Sequence, residues 1–392
     1  MHQPVYLDNN ATTPVIPEVW EAMRPFLGDR PGNPASSHAF GRHARKALED
    51  ARERLAGLLG ADPDEVIFTS GATEANNLAI FGLRGPAPGT IVTSAIEHPS
   101  VLGPAGQLGA TGYTLSTLPV TSAGNVDLDR ADFPADMRLV SVMLANHETG
   151  AVQPIEALVE RVEGHAPFHC DTAAAAGKIP VSFHRLGVTA LTISGHKFHG
   201  PPGIGALLLK RGTKLRPLLW GGHQQQGRRP GSEPVALAVG LAAALDWCVR
   251  NFAEHAARVL ALRKQFLDRL RADAAPIVLN GSETGGIPHT INVSFPGCAA
   301  DVLLMKLDLA GVACSTGSAC SSGSLLPSPV LRAMGAAPEV LGSAMRFSLS
   351  SLIEDDALEE ALSRIVECTQ ALRRCDSAPA NPRFGPGCSR TI

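Results

Sequence analysis

The run Thr192-Ile193-Ser194-Gly195-His196-Lys197 decides the fold class, because an apolar stretch ends there on a lysine. Residues 190–193 and 203–209 each read as a buried strand, and Lys197 lies between them. Lysine is almost never fully buried unless it is paired. A lysine held at the end of a buried strand has a lowered pKa, and its amine can form a Schiff base with an aldehyde. Taken alone, a loop lysine with a solvated head group is the commoner explanation.

Three further segments supply what a pyridoxal phosphate site needs besides the lysine. Asp171 ends a predicted strand over residues 168–171, and its carboxylate would keep the pyridine nitrogen protonated. The run SGATEANN at 70–77 follows a strand over 66–69 and opens a helix, whose N-terminus presents free N–H groups to a phosphate. His98 follows a third strand, over 90–95, where its ring is placed to stack on the cofactor. Each signal alone has an ordinary structural explanation. Together they favour a cofactor site over the interpretation of Lys197 as a solvated loop lysine.

The order and spacing of these segments resemble the cysteine desulfurases, the NifS-like group of fold-type I pyridoxal phosphate enzymes. The resemblance covers nearly the whole chain and rests on YLDNNATTP at 6–14, GNP at 32–34, SH at 37–38 with GR at 41–42, SGATEANN at 70–77, IEH at 96–98, NHETG at 146–150, SGHK at 194–197, STGSAC at 315–320 and MRFS at 345–348. Several ordered matches are far more specific than any single one.

The resemblance implies a role for each matching position. Lys197 would carry the cofactor, and Asp171 would pair with its pyridine nitrogen. Arg346 would bind the carboxylate of L-cysteine, and Cys320 would take the sulfur as a persulfide, leaving L-alanine. The remaining cofactor contacts are implied at His98, which is also the candidate base for the thiol, and at Ala72, Thr73, Ser194, His196 and Ser232. Ser232 would come from the neighbouring subunit, so the resemblance also implies a homodimer with shared active sites.

Two positions depart from the family's pattern. His147 stands where the family usually has an asparagine that donates to the phenolic oxygen of the cofactor, and an imidazole N–H can make the same bond. Ala174 stands where the family usually has a glutamine, and alanine has no donor. A lost hydrogen bond to an ionised oxygen costs roughly 1.5–3 kcal/mol. Neither change removes the lysine, the aspartate or the thiol, so we still expect an enzyme.

Strand-and-helix alternation predicts an α/β fold of two domains, which suits a length of 392 residues. We expect a large cofactor-binding domain over residues 15–252, with a mostly parallel seven-stranded sheet implied by the resemblance. A smaller α+β domain would combine residues 1–14 and 253–375 and carry the loop of Cys320. The run 315–324 is rich in Ser, Gly and Ala, which predicts a mobile loop. Composition predicts a disordered tail over 376–392.

Composition and charge exclude several classes of protein. A formal net charge of −3 without a basic run argues against a nucleic-acid binder. We see no charged and apolar leader and no apolar run long enough to span a membrane, so a cytoplasmic protein is the default expectation. The eight cysteines form no paired CxxC motifs, and no metal site is expected.

Two alternatives stay open at this point. The chain could be a selenocysteine lyase or another class V aminotransferase-like enzyme, which a comparison of cysteine with selenocysteine turnover would reveal. It could instead be a weakly catalytic docking protein for sulfur acceptors, an alternative kept open by His147 and Ala174. The sequence does not name the acceptor, which would be an iron–sulfur scaffold or a thiolation enzyme.

Overall fold

The computed structural model describes residues 3–29, 31–317 and 327–377. The strands are β1 Val5–Tyr6, β2 Val66–Thr69, β3 Thr90–Ser94, β4 Thr114–Leu118, β5 Met137–Ser141, β6 Phe168–Asp171, β7 Ala190–Ser194, β8 Gly205–Leu209, β9 Val278–Leu279, β10 Thr290–Ser294, β11 Val312–Ala313 and β12 Ala344–Ser348. The helices are α1 Pro17–Arg24, α2 Ala39–Leu58, α3 Ala72–Leu83, α4 Pro99–Gly109, α5 Ile155–Val162, α6 Phe183–Leu186, α7 Val235–Arg250, α8 Phe252–Asp273, α9 Ala300–Leu309, α10 Pro329–Ala333, α11 Pro338–Leu341 and α12 Asp355–Ser377.

The main sheet has seven strands in the order β2-β8-β7-β6-β5-β3-β4. Only β8 runs against its neighbours, because it pairs antiparallel with both β2 and β7. Every residue of β2, β3, β6, β7 and β8 is buried, as expected for strands covered on both faces. The prediction of a mostly parallel, seven-stranded α/β sheet is therefore confirmed.

The predicted strand bounds differ from the observed ones by a few residues. The apolar run at 138–145 forms regular ladder pairs only to Ser141. Beyond it, the amides of Val142 and Leu144 still donate to carbonyls of His169 and Asp171, while the amide of Met143 donates to the carboxylate of Glu97. The apolar run therefore continues as buried chain that leads into the site.

A second core lies around a three-stranded antiparallel sheet, in the order β12-β10-β9, and the parallel pair β1-β11. Its buried residues include Val5, Leu7, Phe266, Phe347 and Leu362. The N-terminal strand thus packs with residues from the C-terminal third of the chain. The domain bounds themselves stay a prediction.

In the described ranges, no single helix has both the length and the apolar composition to cross a membrane; α7 and α8 meet that test only as a pair, across a 72° bend.

Candidate active site

Nine of the predicted site residues line one cavity at the carboxyl ends of the parallel strands, where open α/β sheets bind ligands. They are Ala72, Thr73, His98, His147, Asp171, Ser194, His196, Lys197 and Arg346. Ala174 lines the same cavity. Ser232 does not belong to this cavity and is exposed on its own chain. Cys320 lies outside the described residues.

Lys197 ends a 3₁₀ turn, Gly195–Lys197, that follows β7 directly. The turn is fixed by backbone bonds from Gly195 N to the Ile204 carbonyl and from Gly200 N to the Gly195 carbonyl, both 3.0 Å. The Nζ atom donates to the carbonyl of Asn10 and, at 3.0 Å, to that of Ala11. The N-terminal segment therefore holds the lysine amine in position through these two carbonyls.

Asp171 ends β6 with both carboxylate oxygens engaged. Its Oδ2 accepts a hydrogen bond of 2.7 Å from Asn76 Nδ2, and its Oδ1 accepts one of 2.9 Å from the amide of Ala173. Asn76 Nδ2 also lies 2.8 Å from the hydroxyl of Ser100. Only 5% of Asp171 is exposed, so these bonds orient a buried carboxylate toward the cavity.

His98 is the N-cap of α4, and its imidazole Nδ1 accepts from the amide of Ser100 at 3.1 Å. The hydroxyl of Ser100 lies 2.8 Å from the same nitrogen. Burial lowers the pKa of His98, the attraction of Asp171 opposes this, and the positive charge of Lys197 adds to it. The neutral ring is thereby favoured, and its Nε2 can accept a proton only in the tautomer whose Nδ1–H donates to the hydroxyl of Ser100.

The candidate phosphate cup lies where β2 turns into α3. Gly71 adopts φ 152°, and no side chain caps the helix, so the first-turn N–H groups are available to an anion. A Cβ atom at Gly205 would lie 2.8 Å from the Cα of Gly71, so this close approach of two segments needs glycine. Burial, Lys197 and Lys178 lower the pKa of His196 to about 4, which leaves its ring neutral beside the cup.

Arg346 lies on β12 and is only 2% exposed. Its Nη2 donates to Asp8 Oδ1 at 2.8 Å, and its Nη1 donates to the carbonyl of His147 at 3.2 Å. Its buried Nε has no partner among the described residues. A guanidinium held in place with donor capacity left over suits a carboxylate ligand.

His147 faces His98 edge-on, with ring centroids 5.2 Å apart. Burial lowers its pKa well below the usual value, and His98, Arg346 and Lys197 lower it further. Its Nδ1 is buried without a partner in the described part of the chain. Such an atom is costly to leave unpaired, and a ligand oxygen or hydrogen-bond donor in the cavity would satisfy it.

Sequence reasoning missed two ionisable residues, the half-buried Lys178 in the cavity and the buried Glu97 next to His98. Lys178 lies with its Nζ 3.5 Å from Asn10 Oδ1, and burial, with a further contribution from Lys197, lowers its pKa to about 7. Glu97 precedes His98, and burial raises its pKa to about 8. Neither sequence context signals burial of the charge, because burial arises from chain segments far away in sequence.

Three of the described cysteines are poor nucleophiles near neutral pH. Burial raises the pKa of Cys170 well above its usual value and that of Cys248 to about 12. Cys314 is also driven to about 12 by burial, with Asp8 and Asp308 adding to the shift in pKa. Cys170, Cys248 and Cys314 are therefore unsuited to the sulfur-accepting role that is predicted for Cys320.

The donor set of the cavity fits pyridoxal phosphate. An uncapped helix N-terminus with glycine at the close approach suits the phosphate, a buried carboxylate suits the pyridine nitrogen, and Lys197 supplies an amine. The unpartnered Nδ1 of His147 leaves a polar atom for the ring substituents. The donor that a longer side chain would supply is absent at Ala174.

Comparisons with known proteins agree on one family. The model of the class V aminotransferases matches residues 5–359. A cysteine desulfurase of Nostoc sp. is 43% identical over 374 residues, covering 94% of each chain. The cysteine desulfurase IscS of Dictyoglomus turgidum is 41% identical over 376 residues, covering 94% of this chain and 95% of its own. A solved NifS-like protein superposes with a TM-score of 0.88 at 34% identity, covering 94% of this chain and all of its own.

Proposed function

Because this chain belongs to the class V aminotransferases and is a cysteine desulfurase that uses pyridoxal phosphate, we propose that it moves the sulfur of L-cysteine onto Cys320 and releases L-alanine. The observation that carries this proposal is the meeting of Lys197, Asp171 and Arg346 in one cavity. An amine, a carboxylate and a guanidinium are the groups that the cofactor and an amino-acid substrate require.

Each of the cofactor's chemical groups has a proposed partner in the cavity. Bound pyridoxal phosphate supplies an aldehyde for an amine and a ring that accepts electrons from the substrate Cα. Lys197 would hold the aldehyde carbon, Asp171 the pyridine nitrogen and His147 the phenolic oxygen. His98 would stack on the ring. The phosphate would lie in the cup of Ala72, Thr73, Ser194 and His196, completed by Ser232 of a second subunit.

Arg346 would orient the substrate, and Lys197 would transfer the proton at Cα. Asp8 and the His147 carbonyl hold two of the Arg346 nitrogens, which fixes the guanidinium for the substrate carboxylate. Lys197 Nζ takes the Cα proton when its nitrogen is not bonded to the cofactor. The carbonyls of Asn10 and Ala11 keep the released amine near its starting position.

The sulfur step is a displacement at sulfur. The Cys320 thiolate attacks the substrate sulfur, an S–S bond forms, and the C–S bond breaks with its electron pair left on Cβ. A proton added at Cβ and the return of the Cα proton from Lys197 complete L-alanine, and Cys320 holds the sulfane sulfur. Since a free thiol has a pKa near 8.5 and is only slightly ionised at pH 7, His98 is the proposed group for carrying its proton.

Incubation of the purified holoenzyme with L-cysteine tests the proposal when alanine and the persulfide on Cys320 are quantified together. Wild type should yield both products. Cys320→Ala should still load cofactor and bind cysteine but release almost no alanine, because its sulfur acceptor is gone. Cys314→Ala is the matched control and should resemble wild type, since burial keeps that thiol protonated.

Two results would overturn parts of this proposal. An essential Cys314 with a dispensable Cys320 would reverse the assignment of the nucleophile. A wild-type protein that binds cofactor but makes no alanine would favour the docking-protein alternative. Borohydride reduction should fix the cofactor to Lys197, and Lys197→Ala should abolish that adduct; a label on another lysine contradicts the site.

The cellular setting of the enzyme belongs to the same proposal. A homodimer with shared active sites follows from the proposed role of Ser232. The persulfide would pass to a thiol of an acceptor protein, either an iron–sulfur scaffold or a thiolation enzyme, in the cytoplasm.

A further inference from the structure

The carboxylate of Glu148 lies between the two described ends of the chain that flank residues 318–326. On one side, the hydroxyl of Ser328 donates to Glu148 Oε2 at 2.5 Å. On the other side, a Cβ atom built on Gly317 would lie 2.7 Å from the same oxygen. One carboxylate oxygen therefore accepts a hydrogen bond from a residue that closely follows the interval and lies close to the residue that precedes it.

Both contacts of Glu148 are buried. Glu148 is 2% exposed and Ser328 is 4% exposed. Gly317 adopts φ +83° and its amide lies 3.3 Å from Ser315 Oγ. Ser328 also accepts at 3.1 Å from the amide of Leu331 and so begins α10. Local hydrogen bonds thus add to the contribution of the carboxylate at the two ends.

The same unit reaches the active site. The Asn146 side chain accepts from the amides of Glu148 and Thr149, both at 2.9 Å, which fixes the turn that carries Glu148. The preceding residue, His147, lines the cavity. Ser315 exchanges two backbone hydrogen bonds with Arg346, of 3.1 and 2.6 Å. Glu148 therefore links Ser328 to the His147 turn, while Ser315 links the chain that leads to Gly317 to the Arg346 strand.

A buried carboxylate is an unusual choice for a merely structural contact. Burial raises the pKa of Glu148, whereas the Ser328 hydrogen bond and the charge of Arg346 oppose this shift. Acidic residues are almost never fully buried unless they are paired, and an apolar side chain of similar size often serves stability at least as well as a buried ion. The carboxylate is therefore better explained by the geometry that it imposes than by stability.

We propose that Glu148 is a positioning residue for sulfur transfer, because its carboxylate fixes residues 317 and 328, which flank the chain that bears Cys320, against the walls of the cofactor cavity. This inference rests on the proposed role of Cys320 as the persulfide carrier. Glu148 does not touch the reacting atoms and acts only by setting where that chain begins and ends.

Rapid mixing of the holoenzyme with L-cysteine separates this role from cofactor and substrate binding. Glu148→Ala and Ser328→Ala should each slow persulfide formation on Cys320 by about tenfold, the effect expected for one lost hydrogen bond to a charged group. The cofactor absorption and the cysteine concentration that half-saturates its spectral change should stay as in wild type. Ser328→Thr keeps the hydroxyl and should retain most of the rate.

The double variant Glu148→Ala/Ser328→Ala supplies a readout that general destabilisation would not give. If the two side chains act through one contact, the double variant should be no slower than the slower single variant. Multiplying effects, or an unchanged rate in both single variants, would overturn the proposal. If Glu148→Ala fails to fold, the rates of persulfide formation in Ser328→Ala and Ser328→Thr still test the proposal. Equal rates in these two variants would contradict it.

A glycine pair tests the second contact of the carboxylate. Gly317→Ala adds a methyl group against Glu148, whereas Gly335→Ala adds one at φ +78° with no atom within 4 Å. The first substitution should slow persulfide formation more than the second, and equal effects would argue against the contact. A wild-type enzyme that forms no persulfide on Cys320 would instead refute the proposed function, which keeps the two failures distinct.

Discussion

Glu97 shows how a single buried acid can make stability depend on pH. Its Oε1 accepts from the hydroxyl of Ser94 and, at 3.0 Å, from the amide of Met143, while its buried Oε2 has no partner among the described residues. Burial raises the pKa to about 8; the two hydrogen bonds oppose this shift, and the charge of Asp171 adds to it. Glu97 therefore stays protonated in the folded protein at neutral pH.

The sign of the effect follows from proton binding in the two states. Between about pH 4.5 and 8 the folded protein holds a proton on Glu97 that the unfolded chain releases, so this group's contribution to stability falls as pH rises. Glu97→Gln cannot lose a proton. The melting temperature of the variant minus that of wild type should therefore increase from pH 5 to pH 8. A difference that is constant across this range would show that Glu97 titrates normally.

His147 is the residue whose replacement should most directly affect cofactor binding. We expect His147→Ala to weaken pyridoxal phosphate binding about 10- to 150-fold, because a hydrogen bond to an ionised oxygen contributes roughly 1.5–3 kcal/mol. His147→Asn restores a donor and should bind nearly as wild type. Equilibrium dialysis of the apoprotein measures both. Unaltered binding by His147→Ala would show that the ring makes no such bond.

A substitution at Ala174 should have the opposite effect on cofactor binding. Ala174→Gln adds a donor at a position that lines the cavity, and in the same dialysis it should tighten cofactor binding. Weaker binding would mean that the space beside Ala174 is already filled by His147 or by the cofactor itself.

At the scale of elements, strands that are apolar along their whole length could be predicted from sequence. β2 and β7 were placed within one residue of their observed bounds, where Glu65 precedes β2 and Gly195 follows β7. The edge strand β4 was not singled out, since its burial pattern is mostly exposed. The two-residue strands β1, β9 and β11 carry no local signal, because each exists only through its partner.

The same limit applies to the site. Lys197, Asp171 and His98 stand at strand ends, a position that sequence can indicate. Glu148 contacts Ser328 across 180 residues, and no local pattern predicts that pairing. The antiparallel direction of β8 could not be predicted either, because an apolar run does not indicate which way its strand runs relative to its neighbours.

At the scale of the whole molecule, the proposed dimer predicts complementation between two defective chains. Ser232 is exposed on its own chain, and the nearby Trp220 is 78% exposed, which suits a surface covered by a second copy. Lys197→Ala and Ser232→Ala should each impair their homodimers. In a mixed dimer, one site would carry both lesions and the other would be intact.

Co-expression of the two variants with different tags measures this directly. Random pairing would restore about a quarter of wild-type sites, because half of the dimers are mixed and each has one intact site. No recovery in purified mixed dimers would place Ser232 in the site of its own chain. A fully active monomer at every concentration would remove the shared-site proposal altogether.

The pairing of β1 with β11 also has a consequence for synthesis on the ribosome. Val5 leaves the exit tunnel long before its strand partner Val312. The side chain of Asn10 likewise donates to Thr290 and to the His147 carbonyl, which are synthesised later. At roughly 5–20 residues per second the interval between β1 and β11 is about 15–60 s. Throughout that time the segment whose carbonyls receive the Lys197 amine lacks its strand partner, so the nascent chain cannot complete its active site before β11 has been synthesised.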